Sequence, residues 1–129
     1  MDKQIIITAS VFGMVAVVAG AFGAHALRGV LAPEQIQTWQ TAVQYQFYHV
    51  LALLFLAAFA GTSGNSYTHA AFYLFSFGII FFSGSLYLLS CRYAFNWNWA
   101  KFLGPVTPVG GLLFIAGWVM LLLAALKRN

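Results

Sequence analysis

The residues best suited to chemistry stand in one run, Gln44-Tyr45-Gln46-Phe47-Tyr48-His49, inside a stretch otherwise apolar enough to cross a membrane. Amide and imidazole groups left unsatisfied in hydrocarbon cost several kcal/mol. The run is therefore expected to face protein or water, which makes it the leading candidate for an interior site. Ala42, Tyr45, Gln46, His49 and Leu53 follow i, i+3, i+4 spacing and share one helical face, so Gln46 and His49 are placed to bond one another or a neighbouring helix. Counted back from Gly61 at helical rise, His49 lies roughly 18 Å inside the membrane, near mid-depth. A neutral histidine at that depth can relay a proton or touch a ligand; its plainer role is a satisfied hydrogen bond that fixes helix packing.

Four apolar stretches must position that run. Of the 129 residues, 62% are hydrophobic and 6% charged, far from the quarter charged that is usual in soluble domains, so the chain reads as a membrane protein. The charges, Asp2, Lys3, Arg28, Glu34, Arg92, Lys101, Lys127 and Arg128, stand near the ends of apolar stretches, within reach of headgroups. A net charge of +4 without a clustered basic patch points to phospholipid rather than nucleic acid. The spans are expected at about 5–27, 41–60, 68–90 and 106–126, in a single integral membrane domain. A signal peptide is the competing reading of the first, but its apolar run exceeds the about 7–15 residues of such segments.

The second helix is expected to start at Pro33 and run to Ala60. Its polar beginning and Trp39 suit the interface, and Gly61 to Ser66 form a turn. Tyr93 to Lys101 has the composition of an aromatic belt. Thr107-Pro108 reads as a helix start, with Pro105 the alternative opening. Short connections predict an all-α, up-down-up-down four-helix bundle. Gly13, Gly20, Gly23, Gly78, Gly84, Gly110, Gly111 and Gly117 are expected to pack helices closely. The pairs Gly13/Gly20, Gly78/Ser85 and Gly110/Gly117 stand seven apart.

Alternating direction brings the least lipid-like segments of all four spans to one half of the bilayer. A polar pocket is expected there from His25, Tyr45, Gln46, His49, Ser83, Ser85, Tyr87 and Thr107. His25 also reads as an interfacial residue and His69 as a helix-end residue. A metal site is disfavoured because no carboxylate or thiolate is placed to complete a shell around His25 and His49. Cys91 has no partner cysteine; Arg92 beside it could lower its pKa, but the plainer reading is an incidental loop cysteine. With Asp2, Glu34 and the C-terminus the only carboxylates, a catalytic acid/base pair in the membrane is excluded, and neither an enzyme nor a cofactor is expected.

Gly20-Ala21-Phe22-Gly23-Ala24-His25-Ala26-Leu27, Tyr45 to His49, Phe82 to Tyr87, and Thr107 to Gly111 with Ala116-Gly117-Trp118 together resemble the domain-of-unknown-function 423 family, which is related to a vertebrate transmembrane protein. The resemblance covers nearly the whole chain and implies a multi-pass protein of the bacterial inner membrane, with no established activity to carry over. Two functions follow as expectations. One is a structural or interaction protein whose small-residue faces meet another copy or a membrane partner. The other is a small transporter using Gln46 and His49, with Ser83 and Ser85 opposite; no small-molecule ligand is specified by either. The positive residues divide as Lys3, Lys127 and Arg128 against Arg28, Arg92 and Lys101. The adjacent pair Lys127-Arg128 favours cytoplasmic termini, and the even split also admits an antiparallel dimer.

Overall fold

The computed structural model describes residues 2–128. Four long helices carry the chain: α1 (Asp2–His25), α2 (Pro33–Ser63), α3 (Ser66–Ser90) and α4 (Val106–Leu126). No strand occurs among the described residues. Each helix, α4 together with the turn before it, is long and apolar enough to cross a membrane. The chain is thus an all-α, multi-pass membrane four-helix bundle.

Local chemistry sets the helix boundaries. Pro33 opens α2, where its missing N–H is no loss, and the Gln35 side chain accepts from the Ala32 N–H at 3.1 Å. The helix runs on to Ser63, so the expected six-residue turn shrinks to Gly64 and Asn65. Asn65 makes the short turn possible by capping α3: its Oδ1 accepts from the N–H groups of Tyr67 and Thr68, and Thr68 Oγ1 accepts from the Asn65 N–H at 2.8 Å. At the other loop Pro105, not Thr107, is the cap residue of α4. Thr107 falls inside the first turn, which leaves its hydroxyl to meet α3.

Within α3 the residues Ile79–Ser83 form a π turn, a widening that the sequence reading does not foresee. It coincides with a close approach of α3 and α4. A Cβ on Gly110 of α4 would collide with the backbone N and Cα of Phe82, so only glycine admits this crossing. Ser83 in the same turn donates to the Ala42 carbonyl of α2 at 2.8 Å.

α1 packs along α2, α3 along α4, and α2 along α3, which places α2 and α3 at the centre. In their most apolar stretches 44% and 39% of residues are buried, against 22% in each outer helix, so the outer pair mostly faces lipid. An apolar core of Ile5, Leu53, Leu56, Phe72, Phe75 and their neighbours fills the half of the bundle nearest the termini. In that half Asn65 Nδ2 also donates to the Ala124 carbonyl at 3.2 Å, which ties the second loop to the end of α4. A smaller cluster of Leu27, Leu31 and Cys91, with Trp39 and Trp97 against it, joins the first and third loops at the opposite end.

Candidate functional site: the polar half of the bundle

Of the run Gln44 to His49, only Gln46 and His49 are buried, at 2% and 4% exposure; Phe47 is half-buried, and Gln44, Tyr45 and Tyr48 are exposed. An α-helix cannot turn six consecutive residues inward, so its period divides the run between interior and lipid. Gln46 and His49 do not bond each other. Gln46 Nε2 donates to the Phe12 carbonyl of α1 at 2.7 Å, and its Oε1 accepts from the Tyr87 hydroxyl of α3 at 2.7 Å. One amide thus joins three helices.

His49 turns the other way, toward α4. Its Nδ1 lies 2.7 Å from the Tyr45 carbonyl, and Trp118 Nε1 lies 3.1 Å from its Nε2. A carbonyl only accepts and an indole N–H only donates, so these partners assign the neutral tautomer with the proton on Nδ1. The ring stacks on Phe114 with centroids 3.6 Å apart and planes 8° apart. Both nitrogens are occupied by protein groups, leaving neither free for a ligand or a proton in transit.

Of the other expected pocket residues, Ser83, Ser85 and Thr107 form separate bonds. Ser83 is bonded to Ala42, and Ser85 and Thr107 share a hydrogen bond of 2.6 Å between α3 and α4. His25 is exposed at the last residue of α1, outside the cluster. Tyr45 is 38% exposed and lies with His49, Phe82, Phe114 and Trp118 on a groove of about 570 Å³ between α2 and α4. Tyr87 instead borders a groove of about 430 Å³ between α1 and α3. In place of one polar pocket, Gln46, His49, Ser83, Ser85, Tyr87 and Thr107 make helix-to-helix bonds that close on the protein itself.

The glycines also divide. Added Cβ atoms at Gly23, Gly78 and Gly117 would come within 2.5 Å of Trp39, 2.5 Å of Phe114 and 2.7 Å of Phe75 respectively. Gly13 and Gly20 would make ordinary 3.5 Å contacts with Val50 and Val43, and Gly111 would stand 3.9 Å from Phe82. Gly84 has open space around it, so close packing does not explain it.

Two contributors escaped the sequence reading. Trp39, which suits the interface by sequence, turns inward over Gly23 and donates Nε1 to the Ala19 carbonyl at 2.8 Å. Trp118 is the partner of His49, and a tryptophan facing a histidine from another helix leaves no sequence signal short of knowing the register. Cys91 is buried between the first and third loops, where burial pushes its thiol pKa up and a bond from Ser90 opposes this more weakly. The expected lowering by Arg92 is therefore overturned. Among the described residues no three His, Cys, Asp or Glu side chains gather into a metal-binding group. The terminal carboxylate lies outside the described residues.

A family model described as a protein of unknown function, DUF423, matches residues 19–111. A UPF0382 membrane protein of Staphylococcus aureus is 44% identical over 125 residues, covering 97% of both chains. The UPF0382 membrane protein YwdK of Bacillus subtilis is 42% identical over 127 residues, covering 97% of this chain and 98% of its own. No solved structure matches. None of these relatives carries an enzymatic name. With a match of this extent and relatives this similar along their full length, the chain belongs to the DUF423 family of membrane proteins.

Proposed function

We propose that this chain is a structural or interaction protein of the bacterial inner membrane, not an enzyme, with both termini in the cytoplasm. The observation that carries the reading is the closure of the two buried polar side chains of the run, Gln46 and His49. Gln46 is bonded at both ends and His49 at both nitrogens, all to partners within the chain. A transport path or catalytic site needs polar groups free to exchange partners with a substrate, whereas closed bonds between helices fix geometry. The orientation follows from Lys127-Arg128, the only adjacent basic pair beside a span. The partners this reading requires are membrane lipids and another protein chain, with no cofactor.

Native mass spectrometry of the wild type and of His49→Ala, both released from their own membranes, tests the proposal. Assembly or stability is expected to change with the substitution while the set of bound small molecules stays the same. A small molecule that leaves with His49 would overturn the reading in favour of transport.

A further inference from the structure

One face of α2 is left without a partner inside the bundle. Gln37, Gln40, Gln44 and Tyr48 stand three, four and four residues apart, which places them in a line along the helix, and all four are exposed. The amides of Gln40 and Gln44 and the hydroxyl of Tyr48 make no hydrogen bond to any described residue. Gln37 and Gln40 lie at the polar beginning of α2, where headgroups and water reach them. Gln44 stands about one turn, and Tyr48 about two turns or 10 Å, below Thr41, where the lipid-compatible part of the helix begins. Acyl chains offer neither donor nor acceptor at that depth, so these groups need a partner that brings its own.

We infer that this stripe is the contact between two copies of the chain inserted in the same orientation. A glutamine amide carries both a donor and an acceptor, so a row of them is complementary to itself across a two-fold axis. The stripe also fixes the relative orientation. It occupies only the half of α2 nearest the first loop, so antiparallel copies would place their stripes in opposite leaflets and leave both facing lipid. Close approach is open as well, because the shallow groove of about 330 Å³ beside the stripe is lined by Gly20, Gly23 and Ala24 next to Gln40 and Gln44. The inference rests on the interaction reading and names its partner. It counts against the antiparallel dimer that the charge balance admits.

Energy transfer between full-length chains labelled at the C-terminus, measured in phospholipid vesicles over a range of protein densities, tests the inference. Gln44→Leu suits lipid and touches no interior contact, so the fold is expected to persist. The dimer is expected to weaken about fivefold, or about 1 kcal/mol, with a further loss in Gln40→Leu/Gln44→Leu. Val17→Leu, on the lipid face of α1, is expected to leave association unchanged. In a Cys91→Ala background, Gln44→Cys is expected to form a disulfide-linked dimer on oxidation, since the two Cα atoms would come within about 7 Å. A monomeric wild type at every density, or association indifferent to the double substitution, would overturn the inference. Cross-linking of Gln44→Cys to a different protein alone would overturn the second copy as partner while leaving the interaction reading in place.

Discussion

The two helical hairpins of this bundle are joined by opposite means. Between α1 and α2, side-chain donors reach backbone carbonyls: Trp39 to Ala19 and Gln46 to Phe12. Between α3 and α4, beside the Ser85–Thr107 and Asn65–Ala124 hydrogen bonds near the two ends, the close contacts are made by glycines seated on rings and backbone, with Gly78 against Phe114, Gly117 against Phe75 and Gly110 against Phe82. Lipid is as apolar as the side chains it would release, so helices in a membrane gain little from hiding apolar surface from it. They must use close van der Waals packing or hydrogen bonds, and each hairpin emphasises one. Even the single tight glycine of the first hairpin, Gly23, serves a donor by making room for Trp39.

If the second hairpin depends on backbone proximity, Gly110→Ala should break it most severely. The new methyl would meet the Phe82 backbone, which cannot rotate aside as a side chain can. A loss of about 3 kcal/mol or more is expected. Reversible unfolding in mixed micelles, followed by near-ultraviolet circular dichroism, measures it. A stable Gly110→Ala protein would show that the π turn at Ile79–Ser83 yields, and the contrast between the hairpins would fail.

The first hairpin should break through unsatisfied polar groups instead. Gln46→Ala leaves both the Tyr87 hydroxyl and the Phe12 carbonyl without this partner, with an expected loss of about 2 kcal/mol. Removing the stranded hydroxyl as well, in Gln46→Leu/Tyr87→Phe, should recover part of that loss. A double-mutant cycle in the same micelles reads the coupling between the two residues. Full additivity would mean that the 2.7 Å bond contributes nothing.

Trp39→Phe is a milder probe of the same hairpin. It keeps an aromatic ring over Gly23 and removes the bond to the Ala19 carbonyl, with an expected cost of about 1 kcal/mol. A larger loss would shift the weight from the hydrogen bond to ring volume. Trp39 also packs against Tyr87 in a tilted pair with ring centroids 4.7 Å apart, which gives ring volume a definite contact to lose.

Much of the fold was legible because hydrophobic length and charge placement act locally. The four helices and their alternation follow from stretches of about 20 residues read one at a time. What the site does with those groups was not legible, since it depends on helix rotation and partner register. Gln46 and His49 share a face of α2 yet bond to different helices, because the bundle presents Phe12 and Tyr87 to one edge of that face and Trp118 to the other. His25, grouped with His49 in the expected pocket but also legible as an interfacial residue, is exposed at the end of α1 and falls outside. The π turn lay beyond reach for a similar reason: Ile79-Ile80-Phe81-Phe82-Ser83 is unremarkable as a sequence and departs from α-helix where Phe82 crosses Gly110.

The smallest expected effect sharpens the comparison most, because it uses one chemical change at two addresses. Gly13 and Gly110 are both helical glycines, and each stands seven residues from another glycine. A methyl at Gly13 would make an ordinary 3.5 Å contact with Val50, so space does not require glycine there. Alanine restricts the unfolded backbone and favours helix, which in water contributes roughly 0.5–1 kcal/mol relative to glycine. Gly13→Ala is therefore expected to be neutral or stabilising by a few tenths of a kcal/mol in the same unfolding assay, opposite in direction to Gly110→Ala. Equal destabilisation by both would mean that α1 and α2 also depend on glycine-made proximity and that their hydrogen bonds are secondary. Opposite signs would establish that a seven-residue glycine repeat does not by itself identify a tight helix contact, and that what faces the glycine decides.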